Sequence, residues 1–190
     1  MHRLWTRLLC FAVMTLAFSM PAHAGRFVQL QSYIGWQQPV RLCVQPEGGM
    51  LARNGAVIRE VPCASNDESQ FWETEILAEE IRGGILTHRV LFQNVGTGQC
   101  LDLTDGNTAD WTPLQQWPCN STSTTMQWIY HAGLESNPNA FDPIINRRSG
   151  KCMDVRGGSS LPGTVIQNYH CGPLPDGLGN PAQFWRLIPR

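Results

Sequence analysis

The chain has 190 residues, of which 15% are charged, and its formal net charge at pH 7 is −1. A chain so close to neutral lacks the basic surface that binding to phosphate backbones requires, so we predict no nucleic-acid partner. No segment approaches the roughly 20 consecutive apolar residues of a membrane-spanning helix, so we predict no transmembrane segment.

The first 24 residues are typical of a secretory signal peptide. Arg3 and Arg7 precede an apolar stretch over residues 8–18, and a small-residue cleavage site follows at Ala22-His23-Ala24. We therefore expect cleavage near Ala24 and a secreted protein, either extracellular or periplasmic. Residues 25–190 are enough for one domain, and their 12 basic and 15 acidic residues give a net charge of about −3.

Six cysteines remain after the signal segment, in a compartment that permits disulfide bonds. Six cysteines can pair in 15 ways, but here their spacing narrows the choice. They form three pairs separated by 20, 19 and 19 residues: Cys43 and Cys63, Cys100 and Cys119, Cys152 and Cys171. Such regular spacing predicts three copies of an internal repeat with one disulfide bond in each copy.

The residues around the cysteines repeat as well. The copies open on VRLCVQ, GQCLDL and GKCMDV, carry their second cysteine in EVPC, QWPC and NYHC, and close on QFW, MQW and QFW. We predict repeats over about 27–76, 88–132 and 142–188. Large aromatic residues at a repeated strand position usually pack, so we expect the closing Trp72, Trp128 and Trp185 to be buried. The segment GPLPDGLGNP before the last QFW predicts a lengthened surface loop.

Short runs of β-favouring residues, bounded by Gly, Pro, Asn and Asp, predict four strands in each copy. They are FVQLQSY, RLCV, VIREV and FWETEI; VLFQNV, CLDL, LQQWP and QWIYHA; and PIINRR, CMDV, VIQNY and FWRLI. Residues 76–85 have a weak helical pattern, although their paired glycines argue against a long helix. Three sets of four strands predict an all-β fold, a closed antiparallel barrel with pseudo-threefold symmetry.

These motifs resemble those of the ricin-type β-trefoil lectins, the ricin B-chain-like carbohydrate-binding modules. Their repeats carry a C-x-D strand, an aromatic residue before the second cysteine and a Q-x-W closing strand. The resemblance covers almost all of residues 27–188. It implies a β-trefoil, a six-stranded barrel capped by three hairpins, which the twelve predicted strands would fit.

Strand geometry predicts which side chains meet in the second copy. Successive side chains of a strand point to opposite faces, so Asp102 shares the face of Cys100. Gln115 and Trp117 share the face of Cys119, and a disulfide bond would bring the two faces together. The same rule gathers Asp154, Gln167 and Tyr169 in the third copy. In the first copy the equivalent face carries Gln45, Arg59 and Val61.

An acid, an amide and an aromatic ring together suit a sugar. A carboxylate accepts hydrogen bonds from sugar hydroxyls, an amide both donates and accepts, and the C–H face of a pyranose can lie on an aromatic ring. The resemblance also implies that these positions line a sugar pocket. The alternative for Asp102 and Asp154 is a purely local role, accepting hydrogen bonds from turn backbone.

The copies depart from the lectin pattern in different ways. The lectins often carry an Asn-Gln pair at the closing strand, where the second copy has Thr125 and Met126 and the third has Ala182 and Gln183. We therefore expect a weakened second site, a third site that also uses Gln183, and no sugar binding in the first copy. Trp111, in the loop between the two site strands of the second copy, is expected to be exposed, as a second stacking surface or a loop anchor.

No catalytic constellation is recognisable. His88, His131 and His170 sit in no metal-binding motif, the cysteines are assigned to bridges, and the adjacent Glu79 and Glu80 do not form the separated pair of a glycosidase. We therefore predict a protein that is not an enzyme and has no cofactor and no metal.

The leading hypothesis is a secreted non-catalytic lectin, with shallow sites for galactose-like sugars and with glycans or glycoconjugates as partners. The resemblance also allows a cell-binding subunit of a secreted multi-subunit toxin, similar to cytolethal distending toxins, with other toxin subunits as partners. An aromatic surface patch involving Trp36 and Trp111 would favour the toxin subunit, and intact pockets at Asp102 and Asp154 would favour the lectin. A trefoil protease inhibitor ranks lowest, because no reactive loop is recognisable.

Overall fold

The computed structural model describes residues 26–172 and 179–190. The predicted signal segment lies outside the described residues, and so do residues 173–178 of the predicted loop before the last repeat strand. None of the helices within the described ranges is long and apolar enough to cross a lipid bilayer.

The described residues form thirteen strands and two short α-helices. In chain order the strands are β1 (Arg26–Ser32), β2 (Leu42–Pro46), β3 (Ile58–Pro62), β4 (Trp72–Arg82), β5 (Ile85–Asn94), β6 (Cys100–Leu103), β7 (Thr112–Trp117), β8 (Trp128–His131), β9 (Asp142–Pro143), β10 (Ile145–Asn146), β11 (Cys152–Val155), β12 (Ile166–Tyr169) and β13 (Phe184–Pro189). The helices are α1 (Tyr33–Trp36) and α2 (Gly133–Ser136).

Strands β1, β4, β5, β8, β10 and β13 form an antiparallel barrel. β1 pairs with β4 and β13, β5 pairs with β4 and β8, and β10 pairs with β8. The ring closes through β9, which pairs with β13. The predicted strand PIINRR therefore becomes two short strands, one facing each neighbour.

Three hairpins, β2–β3, β6–β7 and β11–β12, lie together at one end of the barrel. Each hairpin pairs with the next around the threefold axis, through Val57 with Gln115, Pro113 with Gln167, and Val165 with Arg59. A six-stranded barrel with three such hairpins is a β-trefoil, and the predicted fold is confirmed.

The three closing tryptophans join the hairpins to the barrel. Trp72, Trp128 and Trp185 are completely buried, as predicted. Their indole N–H groups donate to the backbone oxygens of Val44, Leu101 and Met153 at 3.1, 3.1 and 2.8 Å. Each acceptor is the residue after the first cysteine of the same repeat. All three predicted disulfide bonds are present, with Cα–Cα distances of 5.0, 4.9 and 5.1 Å.

Residues 76–85 form a β-hairpin arm, so their weak helical pattern was misleading. β4 and β5 stay paired out to Arg82 and Ile85, with a bulge between Ile76 and Ala78. Gly83 and Gly84 make the turn with φ of +56° and +82°. Positive φ at both central residues is the requirement of a type I′ hairpin turn, which a Gly-Gly pair meets readily. That pair was the stronger signal in this segment.

Glu60 is a buried carboxyl group at a position where the other repeats have amides. It lies opposite Val44 in its hairpin, as Gln116 lies opposite Leu101 and Asn168 opposite Met153. Its side chain is fully buried, and neither oxygen has a hydrogen-bond partner among the described residues. Burial raises the pKa of Glu60 to about 7, and the neighbouring Ser32 opposes this only in part.

We predict that Glu60 makes the protein less stable as pH rises from about 4.5 to about 7. A carboxyl group whose pKa is raised on folding holds its proton in the native state while the unfolded chain releases it, so the free energy of unfolding falls across that window. Urea unfolding should show a loss on the order of 3 kcal/mol between the two ends.

Glu60→Gln supplies the residue of the second repeat and is the matched variant. Its stability should fall by on the order of 3 kcal/mol less than that of the wild type across the same window, and it should exceed that of the wild type at pH 7. Identical pH profiles for the two proteins would contradict the role assigned to Glu60.

Candidate functional site

The hairpin registers bring together the residues that strand parity grouped. Asp102 lies opposite Gln115 and Asp154 lies opposite Gln167. The aromatic residues lie opposite the first cysteines, Trp117 opposite Cys100 and Tyr169 opposite Cys152. The first repeat has the same registers with different chemistry, because Gln45 lies opposite Arg59 and Cys43 opposite Val61.

The second repeat has an open cleft of about 430 Å³. Its walls include the three predicted residues, Asp102, Gln115 and Trp117, together with Asp105, Asn120, Ser123 and Met126. The acid and the amide are buried at the base, whereas the Trp117 side chain is 44% exposed. A buried polar base beside an exposed ring provides hydrogen-bond acceptors and a stacking surface in one cleft.

Asp102 has one satisfied oxygen and one unsatisfied oxygen. Gln115 Nε2 donates to Asp102 Oδ2 at 3.0 Å. Oδ1 is buried and has no hydrogen-bond partner among the described residues. A buried acceptor left unpaired costs about 1–3 kcal/mol, so Oδ1 is a locally destabilising group that a donor side chain beside it would satisfy.

Met126 explains the unpaired oxygen. In the first repeat, Gln70 Nε2 donates to Gln45 Oε1 at 3.0 Å, and in the third repeat Gln183 Nε2 donates to Asp154 Oδ2 at 3.1 Å. Met126 occupies the same Q-x-W position and has no N–H to donate. Its Sδ instead accepts the backbone N–H of Asn120 at 3.4 Å.

In the third repeat both oxygens of Asp154 accept a hydrogen bond. Gln167 Nε2 donates to Oδ1 at 2.8 Å and Gln183 Nε2 donates to Oδ2. Burial raises the pKa of Asp154, and these two hydrogen bonds oppose the rise. Arg156 Nε donates to Gln167 Oε1 at 2.7 Å and thereby fixes the orientation of that amide. Gln183 thus belongs to the same cluster, where its sequence position placed it.

The aromatic residue of the third repeat has two aromatic neighbours. The Tyr169 ring centroid lies 4.5 Å from that of Trp111 and 4.2 Å from that of His170. Trp111 comes from the hairpin loop of the second repeat and is 55% exposed. The third-repeat cluster is therefore assembled from two repeats, which sequence reasoning within one repeat did not reveal.

The first repeat has no acid and no ring at the equivalent face. Arg59 is held by Gly163 O at 2.9 Å and by the carboxylate of Glu47 at 3.2 Å. A cleft of about 650 Å³ nevertheless lies beside Gln45, lined by Met50, Asp67 and Glu68 among others. Sequence reasoning missed this cleft, because all of its walls except Gln45 come from two loops rather than from the hairpin strands.

Sequence reasoning also missed part of the second cleft. Asp105 and Gly106 lie in a 3₁₀ turn directly after β6, and Asn120 and Ser123 follow the second cysteine. Asp105 has a φ of +52°, which is uncommon for a residue other than glycine. The Asp-Gly turn after a site strand was the available signal. No group of three or more histidine, cysteine or acidic side chains in the described ranges is arranged to hold a metal ion.

Comparison with known proteins agrees with this geometry. Residues 84–169 match the family described as ricin-type beta-trefoil lectin domain-like. The predicted resemblance is confirmed. The chain has the fold of the ricin-type β-trefoil lectins, and the match spans the whole second repeat and the whole β11–β12 hairpin of the third. Comparison with curated proteins gave no match.

Solved structures with the same fold include a design, a lectin and a toxin. The designed threefold-symmetric protein ThreeFoil is 19% identical, with a TM-score of 0.64 over 85% of this chain and 97% of its own. The Rhizoctonia solani agglutinin is 15% identical, with a TM-score of 0.62 over 92% and 99%. The Haemophilus ducreyi cytolethal distending toxin is 15% identical, with a TM-score of 0.58 over 93% and 89%.

Other matched chains are much longer, and this chain spans only 31% of one and 18% of another. At these identities the similarity concerns the fold alone.

We predict that Met126→Gln stabilises the protein. A glutamine at this position can donate to Asp102 Oδ1 and accept from Asn120 N–H, as Gln183 does with Asp154 and Gly172. The free energy of unfolding should rise by about 1 kcal/mol in urea titrations. Met126→Leu is the control, because it keeps an apolar side chain and supplies no donor. A glutamine variant no more stable than the leucine variant would refute the assignment.

Proposed function

We propose that the protein is a secreted, non-catalytic carbohydrate-binding protein that recognises galactose-like sugars through shallow sites in its second and third repeats. One observation carries the proposal. In the second repeat a carboxyl group, an amide and an exposed tryptophan line the same cleft. The lectin-type fold and the match over residues 84–169 support carbohydrate binding in general.

The chemistry of the cleft suits galactose in particular. The axial O4 of galactose leaves a continuous C–H surface on one face of the ring, which can lie on the exposed Trp117 indole. Its O3 and O4 hydroxyls are adjacent, so both can donate to one carboxylate such as that of Asp102. The closed amide–carboxylate cluster of the third repeat offers the same groups with Asp154 as the acceptor.

Two sites on one rigid domain can act together. Each shallow site alone binds weakly, but simultaneous contact with two sugars on a crowded glycan surface raises the overall affinity by orders of magnitude. Glycans or glycoconjugates on a surface, rather than free sugars, are therefore the proposed partners.

We predict that the wild type binds galactose-terminated glycans on a glycan array. The double variant Asp102→Asn/Asp154→Asn should bind them at least about tenfold more weakly, because a hydrogen bond to a carboxylate contributes about 1.5–3 kcal/mol. Trp117→Ala should weaken binding as well. Its side chain is 44% exposed, so the fold should tolerate the change.

Val61→Ala is the matched control for Trp117→Ala. Val61 occupies the equivalent position in the first repeat, where no sugar binding is proposed, so array binding should be unchanged. Urea unfolding of each variant checks that its fold is intact. Galactose binding that survives the double substitution would overturn the site assignment, and a wild type that binds no glycan would overturn the proposed function.

A toxin-subunit role is the second candidate, and an aromatic cluster supports it. The half-buried rings of Tyr33, Trp36 and Phe141 lie 5.1–6.0 Å apart, and the Arg186 guanidinium lies 5.2 Å from the Trp36 ring centroid. Trp111 contacts Tyr169 instead, so the support comes from Trp36 and its neighbours. In this role the partners are other toxin subunits, and a wild type that binds no glycan would favour it.

A further inference from the structure

The three hairpin loops contain one backbone position with a shared conformation and different residues. This position lies two residues before the inter-hairpin contacts at Val57, Pro113 and Val165. It is occupied by Gly55, Trp111 and Gly163 in the first, second and third repeats. Their φ angles are +80°, +68° and +88°. Two repeats thus place glycine at a left-handed position, and the second repeat places a tryptophan there.

A bulky residue is disfavoured at positive φ, because its Cβ crowds the following backbone. Such a residue persists only where its surroundings hold it, and these positions concentrate at functional sites. Glycine would meet the backbone requirement in the second repeat as it does in the other two. The tryptophan therefore needs a reason other than the loop conformation.

The loop is anchored by groups other than the indole. Asp110 accepts from the backbone N–H and Nδ1 of His170, both at 3.0 Å, and from Lys151 Nζ at 2.7 Å. Lys151 and His170 hold the pKa of Asp110 at about 2, so the carboxylate stays ionised. Arg156 Nη2 donates to the backbone oxygen of Trp111 at 2.9 Å. All of these contacts would remain if the Trp111 side chain were absent.

The indole extends the aromatic surface of the third repeat. It lies 4.5 Å from the Tyr169 ring, centroid to centroid, yet remains 55% exposed. At the equivalent place beside the second-repeat site stands Gly55 of the first repeat, which presents only backbone. A Cβ there would lie 3.8 Å from the Trp117 ring. The second site therefore has one exposed ring, whereas the third has two adjoining rings.

We propose that Trp111 is a ligand-binding residue of the third-repeat site and makes that site select a disaccharide over a monosaccharide. The terminal sugar lies beside Asp154 and Tyr169, and the second sugar ring stacks on the exposed indole. A contiguous surface of two aromatic side chains is wider than one pyranose, so a single sugar leaves the Trp111 face uncovered. This inference rests on the proposed carbohydrate-binding function.

The test uses calorimetry with lactose and methyl β-D-galactoside, in an Asp102→Asn background that silences the second site. Trp111→Gly should weaken lactose binding by about tenfold and methyl β-D-galactoside binding by less than about twofold. Trp111→Phe, which keeps a ring, should retain most of the affinity for lactose. Leu161→Gly, which removes another exposed apolar side chain from a hairpin loop, should leave both affinities unchanged.

A urea titration separates binding from anchoring. Trp111→Gly should be at least as stable as its parent, because glycine relieves the unfavourable φ and the anchoring contacts remain. Lower stability would identify Trp111 as a loop anchor and overturn the inference, as would unchanged lactose affinity or an equal loss for both probes. If the wild type binds neither probe, the proposed galactose-binding function itself fails. This failure is distinguishable from failure of the Trp111 inference, because it appears in the wild type without any substitution.

Discussion

Each repeat of this trefoil depends on one buried hydrogen bond between its closing tryptophan and its hairpin. The indole N–H of Trp128, for example, donates to the backbone oxygen of Leu101, one residue after the first cysteine. Because an unpaired buried donor is costly, this bond fixes the hairpin strand relative to the barrel. The disulfide bond then fixes the second hairpin strand against the first. A slip of one residue would turn every side chain to the other face, so the register that places Asp102 opposite Gln115 follows from these two constraints.

The same scaffold carries three versions of one polar cluster. The Q-x-W position is Gln70, Met126 and Gln183 in the three repeats. Where it is glutamine, its amide makes two hydrogen bonds. The amide oxygen accepts the backbone N–H of the residue after the second cysteine, and the amide nitrogen donates to a hairpin side chain, which is Gln45 in the first repeat and Asp154 in the third. Where it is methionine, the sulfur still accepts the backbone N–H of Asn120, but nothing at this position donates to the hairpin side chain Asp102. The fold tolerates this loss because the tryptophan and the disulfide bond hold the hairpin, and the consequence is confined to one oxygen of Asp102.

Much of the fold could be predicted because the sequence repeats. Three cysteine pairs, three closing tryptophans and three sets of four strands predicted a threefold antiparallel barrel, and the resemblance to the ricin-type lectins implied the trefoil. Period-two alternation along the strands predicted the grouping of Asp102, Gln115 and Trp117. The hairpin arm over residues 76–85 was harder to predict, since its glutamates and alanine favour a helix and only the Gly-Gly turn signals a hairpin. Pairing with β5 along its whole length overrides the local preference.

The parts of the site that could not be predicted lie between repeats. Strand parity works within one hairpin, so it gave no information on which loop of one repeat reaches the next. The contact of Trp111 with Tyr169 depends on the angle between two hairpins around the threefold axis, and the cleft beside Gln45 depends on two loops. Both arise from tertiary placement, for which a single sequence carries no periodic signal.

Comparison of equivalent positions separates the requirements of the fold from those of function. Glu60 stands where the other repeats have amides, and it is unfavourable because its carboxyl group is buried. Met126 removes a donor, but its side chain packs in the protein interior and thereby offsets part of the loss. Trp111 differs from both, because what is unfavourable is its positive backbone φ angle, while more than half of its side chain remains in solvent. Packing within the chain offers it little compensation, and contact with a ligand on the exposed face of the indole would provide the compensation that the fold does not.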